Sequence, residues 1–79
     1  MDESGVLAAA LQKMLGGKVH VELKDGGGVV EGRLAAYDGW MNLVLDGAEA
    51  AFDGGGRIRY GRLIIRGSSI RTIRGADGL

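Results

Sequence analysis

The sequence predicts a mostly β protein, in which an N-terminal α-helix precedes five strands that form a strongly bent, open barrel. Three observations lead to this fold class. The 79 residues include sixteen glycines and no proline, and glycine permits bulges and sharp bends in short strands. Segments of alternating apolar and polar residues are separated by glycine-rich turns. One helical stripe precedes them, and the length suits a single domain covering residues 1–79.

The predicted helix spans residues 4–15. Apolar residues recur there at i, i+1, i+4 and i+5, which lines one face of a helix. They are Val6, Leu7, Ala10, Leu11, Met14 and Leu15, and Gly16-Gly17 supplies the stop. We expect Leu7, Leu11 and Leu15 to pack against one end of the barrel.

The five predicted strands cover residues 18–24, 29–37, 43–51, 57–66 and 69–74. The first of them alternates strictly, with Val19, Val21 and Leu23 on the face that we expect to be buried. The Asp-Gly-Gly-Gly runs at 25–28 and 53–56 are predicted turns. A strand follows the first run, so it does not have the following helix that a phosphate-binding loop requires. The end of the chain, from Gly75, has no periodic pattern and is predicted to fray.

Composition argues against several classes of protein. There is no cysteine and only one histidine, which excludes disulfides and metal sites built from cysteine or from a histidine cluster within one chain. No nucleophile–base pair is visible, so we expect neither an enzyme nor a cofactor. No apolar run reaches the ~20 residues of a membrane span, and the acidic start lacks the basic head of a signal peptide. We therefore expect a cytoplasmic protein with no membrane partner.

The charge distribution is uneven although the formal net charge is zero. No aspartate or glutamate lies between residues 57 and 74, a range that contains six arginines, at 57, 59, 62, 66, 71 and 74. A solvated strand face is the interpretation that the pattern alone favours. A basic face for phosphate is the sharper alternative.

The connection between the second and third strands is the most distinctive stretch. Asp38-Gly39-Trp40-Met41-Asn42 reads as a tight turn, in which aspartate and asparagine bond to nearby backbone and Gly39 is expected to supply a positive φ. A tryptophan in such a turn is unusual, since large aromatic side chains go to a core or a contact surface. An aromatic held between polar anchors is a candidate platform for base stacking.

Two segments resemble the sequence motifs of the Sm/Sm-like (LSm) family, in its archaeal-type form. The first motif matches Gly32, Leu34, Tyr37-Asp38 and the run 41–45, and the second matches the run 61–67 with the spaced pair Ile70 and Ile73. The likeness extends from about Leu7 to Arg74. The bacterial Hfq branch is a near alternative, but it carries a Lys-His pair where this chain has Arg66-Gly67.

The resemblance implies an Sm fold, SH3-like in architecture, and a closed homo-oligomeric ring in which the fourth strand of one subunit pairs with the fifth strand of the next. A heptamer is expected, with six or eight subunits left open. Such rings bind single-stranded U-rich RNA at the inner rim, with roles in RNA processing or ribonucleoprotein assembly. A structural or protein-interaction ring scaffold without specific RNA binding is the alternative.

Carried over position by position, the resemblance assigns RNA binding to Trp40, Asn42, Arg66 and Gly67, with Asp38 orienting Asn42. The Asn42 amide offers a donor and an acceptor to a uracil edge, and the Arg66 guanidinium can stack on a base or attract phosphate. Trp40 departs from the family, since many archaeal relatives have histidine there. Trp40 is alternatively an anchor in the core or at a ring interface.

Overall fold

The computed structural model describes residues 3–76, with the side chains of residues 7–76. It confirms the predicted order of one helix followed by five antiparallel strands in a bent, open sheet. The elements are α1 (Glu3–Met14), β1 (Lys18–Leu23), β2 (Val29–Tyr37), β3 (Leu43–Ala51), β4 (Arg57–Ile65), a 3-10 turn (Gly67–Ser69) and β5 (Ile70–Gly75). The strand order across the sheet is β4-β3-β2-β1-β5. Strands β4 and β5 are therefore its two edges.

The sheet bends where its pairing register is interrupted. The register of β2 with β3 shifts between Glu31 and Arg33 and again between Leu34 and Ala36. Such bulges increase the local bend and twist of a strand. Gly32 lies at the first shift, where a Cβ atom would be 3.0 Å from the Asp46 carbonyl oxygen. The missing side chain at Gly32 thus lets β3 approach closely where β2 bends.

The core is built mainly by the three central strands. Strands β1 to β3 bury alternate residues, as expected for a sheet with one face in the core. These are Val19 and Val21 in β1, Val30 and Leu34 in β2, and Leu43, Leu45, Ala48 and Ala50 in β3. Leu11 of α1 and Ile65 of β4 complete the buried cluster among residues 7–76. Fully burying such a side chain contributes ~1.5–3 kcal/mol.

The helix packs on the barrel through a narrower contact than predicted. Leu11 is 3% exposed, whereas Leu7 and Leu15 are 45% and 47% exposed, so the expectation that all three pack is wrong for the outer two. Met14, in the last turn of the helix, is partly buried against the core cluster. The helix begins and ends one residue before the predicted range 4–15, and Leu15 consequently lies outside the helical stripe. No helix within residues 3–76 has the length and apolar character needed to cross a membrane.

The last strand also differs from its prediction. Residues 67–69 form a 3-10 turn, so β5 begins at Ile70 and extends to Gly75. Gly75 is buried and pairs with Val19, and the Ala76 N–H donates to the Lys18 carbonyl at 2.9 Å. The predicted fraying is therefore wrong for residues 75 and 76, and residues 77–79 lie outside the described part of the chain. Strands β1 and β4 end one residue before the predicted ranges 18–24 and 57–66.

Candidate functional site

The loop between β2 and β3 is organised by the side chain of Asp38. Its Oδ1 accepts hydrogen bonds from the backbone N–H groups of Trp40 at 2.9 Å and Asn42 at 3.0 Å. The Met41 N–H donates to the Asp38 carbonyl at 3.1 Å, and the Asp38 N–H donates to the Asn42 carbonyl at 3.2 Å. An aspartate side chain that accepts hydrogen bonds from backbone N–H groups later in the chain stabilises a turn. Asp38 thus holds the ends of the loop together.

Met41, rather than Gly39, adopts the left-handed backbone conformation, with φ of 62°. The expectation that Gly39 supplies the positive φ is therefore wrong. A residue other than glycine in this region costs ~1–3 kcal/mol, and surrounding contacts must enforce it. The Met41 side chain packs partly buried against the core, which provides such a contact. Sequence reasoning missed this role because a methionine gives no signal for positive φ.

The Trp40 side chain projects into solvent from this loop. It is 82% exposed, although its backbone N–H is bonded to Asp38. Trp40 is therefore not a core anchor of its own chain, and that alternative from the sequence is wrong. An exposed indole on a fixed backbone presents a large aromatic surface, which suits contact with a flat ligand or with another chain.

Asn42 joins the loop to the turn that follows β4. Its Nδ2 donates to Asp38 Oδ2 at 2.9 Å, and its Oδ1 accepts from the Gly67 backbone N–H at 2.8 Å. An asparagine amide has two N–H donors and two acceptor lone pairs. The two contacts use one donor and one lone pair, so among the side chains of residues 7–76 one donor and one acceptor of Asn42 remain for an external partner.

Gly67 is required where the two segments meet. A Cβ atom at this position would overlap the carbonyl oxygen of Trp40, so any larger residue would push the turn away from the loop. Arg66 precedes Gly67 with an extended backbone, φ of −71° and ψ of 134°, and its side chain is exposed. The close approach of Gly67 therefore brings the Arg66 position next to the Trp40 loop.

Electrostatics favours an ionised Asp38. The hydrogen bond from the Asn42 side chain is the main cause that lowers the pKa of Asp38 below its ordinary value. The backbone N–H groups of Asn42 and Trp40 act in the same direction, and partial desolvation opposes them. The carboxylate is thus charged at neutral pH, and its hydrogen bonds are directed towards its own loop. It is placed to orient Asn42, which remains a predicted role.

The predicted site residues lie at one corner of the barrel. Hydrogen bonds connect Asp38, Trp40, Asn42 and Gly67, and Arg66 is adjacent to them in the chain. The corner offers a stacking surface, a partly unused amide and a cation. Flat, polar and anionic ligands satisfy these three features together.

Proteins of known class resemble this chain over most of its length. The LSM domain family model matches residues 9–75. The small nuclear ribonucleoprotein F of Dictyostelium discoideum is 37% identical over 67 residues, which cover 85% of this chain and 74% of that protein.

Solved structures of Sm proteins are also similar to this chain. The Sm protein of Pyrococcus abyssii, solved in complex with a uridine heptamer, is 36% identical, with a TM-score of 0.80 over 87% of this chain and 96% of that one. The SmAP1 heptamer of P. aerophilum is 33% identical, with a TM-score of 0.81 over 92% and 96% of the two chains.

Proposed function

We propose, from the premise that this chain belongs to the LSM domain family of Sm-like proteins, that it forms a homo-oligomeric ring that binds single-stranded U-rich RNA. The observation that carries the proposal is the corner at Trp40. An exposed indole stands there beside the Asn42 amide, which has one donor and one acceptor unused in the described part of the chain. The uridine heptamer bound to the P. abyssii protein supports single-stranded U-rich RNA as the ligand. The P. aerophilum heptamer supports seven subunits. The corresponding role is in RNA processing or ribonucleoprotein assembly.

Ring assembly is supported by the unfinished edge of the sheet. Ile58 faces the core side of β4, opposite the buried Ala50, yet it is 47% exposed. Tyr60 and Leu63, on the same side of β4, are only half-buried. An unpaired edge is a template for another strand, and β5 of a second subunit would both pair with β4 and cover these side chains. A domain of this size also gains stability from oligomerisation.

RNA binding follows from the chemistry of the three exposed groups. The Trp40 indole stacks on any base, since every base has a π-face. The free donor and acceptor of Asn42 complement the uracil edge, which offers both an N–H and a carbonyl oxygen. The Arg66 guanidinium attracts the phosphate backbone and can stack on a base.

A ring scaffold that binds no RNA is the second candidate. The observation in its favour is that Arg57, Arg59 and Arg62 are bonded to carboxylates of the same chain, which reduces their attraction for phosphate. Binding measurements separate the two candidates directly.

The decisive experiment is titration with short oligouridine and oligoadenosine at two salt concentrations. Trp40→Ala should weaken oligouridine binding severely, because each stacked base contributes ~1–3 kcal/mol and the loss is repeated in every subunit. Asn42→Ala should chiefly erode the preference for uridine over adenosine. Arg66→Ala should weaken affinity and flatten its salt dependence, by ~0.7 in the log–log slope for each phosphate that the protein no longer neutralises.

Phe52→Ala is the matched control, since Phe52 is an exposed aromatic residue in another connection, after β3. It should bind RNA like the parent, and native mass spectrometry should give the same ring for every variant. Parental binding by all three site variants would place the RNA elsewhere and favour the scaffold.

A further inference from the structure

The outward face of the sheet, which we call the outer face, carries charge that changes sign from edge to centre. Cross-strand pairs connect Arg74 of β5 to His20 of β1, and His20 to Glu31 of β2. They continue from Glu31 to Glu49 of β3 and from Glu49 to Arg59 of β4. Arginine thus stands at both edges of this row, with two glutamates at its centre.

The centre of the outer face is electrically balanced. Lys18 pairs with Glu31 at 3.2 Å, Arg33 with Asp46 at 2.6 Å, and Arg59 with Glu49 at 3.2 Å. These three cations and three anions line one shallow cleft across β1 to β4. The charges that line the cleft therefore cancel, although Asp46 and Glu49 are also bonded to Arg62 and Arg57 on its β4 side.

The two edges of the outer face are not balanced. On β4, Arg57, Arg59 and Arg62 are all exposed. Among residues 7–76, Arg57 and Arg59 share the carboxylate of Glu49, and Arg62 shares the carboxylate of Asp46 with Arg33 of β2. On β5, Arg74 lies on the outer face opposite His20, and Arg71 is exposed at the register shift nearby. Neither Arg71 nor Arg74 has an ion-pair partner among the side chains of residues 7–76.

We propose that each junction between β4 of one subunit and β5 of the next forms a second RNA-binding surface, on the outer face of the joined sheet. Its residues are Arg57, Arg59 and Arg62 from one subunit and Arg71 and Arg74 from its neighbour. The inference rests on the proposed ring, because the two groups of arginines meet only when the edges pair.

Pairing brings the charges together for a geometric reason. Neighbouring strands lie ~4.8 Å apart, and residues that alternate to the outer side of each strand share one face of the joined sheet. Arg74 follows this alternation, whereas Arg71 is exposed at the register shift of β5. No aspartate or glutamate occurs from residue 57 to residue 76, so the joined strands contribute none. Five guanidinium groups then face three carboxylates, those of Glu49 and Asp46 beside β4 and that of Glu22, which accepts a hydrogen bond from Thr72 of β5. Like charges that face each other across strands are destabilising, and the phosphates of a bound strand relieve the repulsion.

This junction surface is separate from the Trp40 corner. The corner lies where β2 ends and β3 begins, beside the Ile65 end of β4, because Leu43 pairs with Ile65. The arginines of β4 start at its other end, where Arg57 pairs with Ala51. Only an RNA longer than the segment held at the corner reaches them. Contacts to phosphate carry no sequence information, so the junction surface should accept any single-stranded sequence.

The test compares two probes on the intact oligomer: a heptauridine, and a single-stranded RNA of about thirty nucleotides that begins with the same heptauridine and continues in mixed sequence. The variant is Arg71→Gln/Arg74→Gln. The matched control is Lys18→Gln/Arg33→Gln, which removes the same charge from the balanced centre of the outer face. Affinity is measured over a series of salt concentrations, and native mass spectrometry reports the ring.

We expect the Arg71→Gln/Arg74→Gln variant to bind heptauridine like the parent. Its affinity for the long RNA should fall, and the log–log salt slope should flatten by ~0.7 for each phosphate that the variant no longer neutralises. The control should leave both probes unchanged.

Two results would overturn the junction surface. One is parental binding of the long RNA by Arg71→Gln/Arg74→Gln, and the other is loss of the ring in that variant, which would assign the arginines to subunit contact. Failure of the proposed function has a different signature, since the parent itself would not bind heptauridine. A parent that then still bound the long RNA through Arg71 and Arg74 would support the junction surface alone.

Discussion

Strands β3 and β4 have the same length of nine residues and pair with each other from end to end, but they differ in burial. The core-facing residues of β3 are buried, including Leu43, Leu45 and Ala50, whereas β4 buries only Ile65. The difference comes from position, since β3 has a neighbour on each side and β4 has one. An edge strand with apolar residues on its core side needs a further strand to cover them.

The largest expected effect comes from Ile58→Asp. This change puts a charge on the core side of β4, where we expect β5 of the next subunit to pack, and burying an unpaired carboxylate is costly. The ring should dissociate or fail to form at micromolar concentration. Native mass spectrometry and light scattering give the mass directly.

Leu7→Asp is the control for Ile58→Asp, because Leu7 is 45% exposed and Ile58 47% exposed, but Leu7 lies on the helix and not on a sheet edge. It should assemble like the parent. An intact ring in the Ile58→Asp variant would show that a second subunit does not cover the core side of β4.

A smaller effect is expected in the hydrophobic core, which each chain forms without a second subunit. Leu11→Ala removes a buried side chain of the core cluster and should cost ~2–5 kcal/mol, through reduced burial and the cavity left behind. Leu7→Ala, on the same helix, should change the free energy of unfolding by less than ~0.5 kcal/mol. Melting temperatures are compared at one fixed concentration, since assembly makes them concentration-dependent. Equal losses at the two positions would mean that the helix packs differently in the assembled protein.

The same contrast explains how much of the fold follows from the sequence. Alternation and glycine-rich turns predict the strands, because each turn residue and each apolar position acts locally. Burial on the two sides of β4 cannot be predicted this way, since alternation reports which side faces the core but not whether anything covers it. The pairing of Gly75 with Val19 was missed for a related reason, because a glycine contributes no apolar signal to a strand.

At the candidate site, the sequence motif names the residues but not the contacts that hold them. The approach of Gly67 to the Trp40 carbonyl depends on where the turn after β4 lies in the folded chain. Local sequence patterns cannot predict it, because the two residues are far apart in the sequence. The positive φ of Met41 is likewise enforced by its surroundings. Exposure of Trp40, which decides between a core anchor and a contact residue, required the complete packing of the chain.

The smallest effect, and the sharpest test of the corner, is expected from Gly67→Ala. The added Cβ overlaps the Trp40 carbonyl oxygen, so the turn after β4 must shift and stretch the bond of 2.8 Å from the Gly67 N–H to Asn42. Such overpacking costs ~1–3 kcal/mol. Unfolding measurements and oligouridine titration should both register it, with a proportionally larger loss of RNA affinity because Trp40 and Asn42 move apart from Arg66.

Gly61→Ala is the control on the edge strand β4, where a Cβ meets nothing within 4 Å, and it should match the parent in both measurements. If the Gly67→Ala and Gly61→Ala variants behaved alike, the contact between loop 38–42 and Gly67 would not be what fixes the Trp40 corner. The corner would then tolerate an added methyl group as well as the exposed edge strand β4 does.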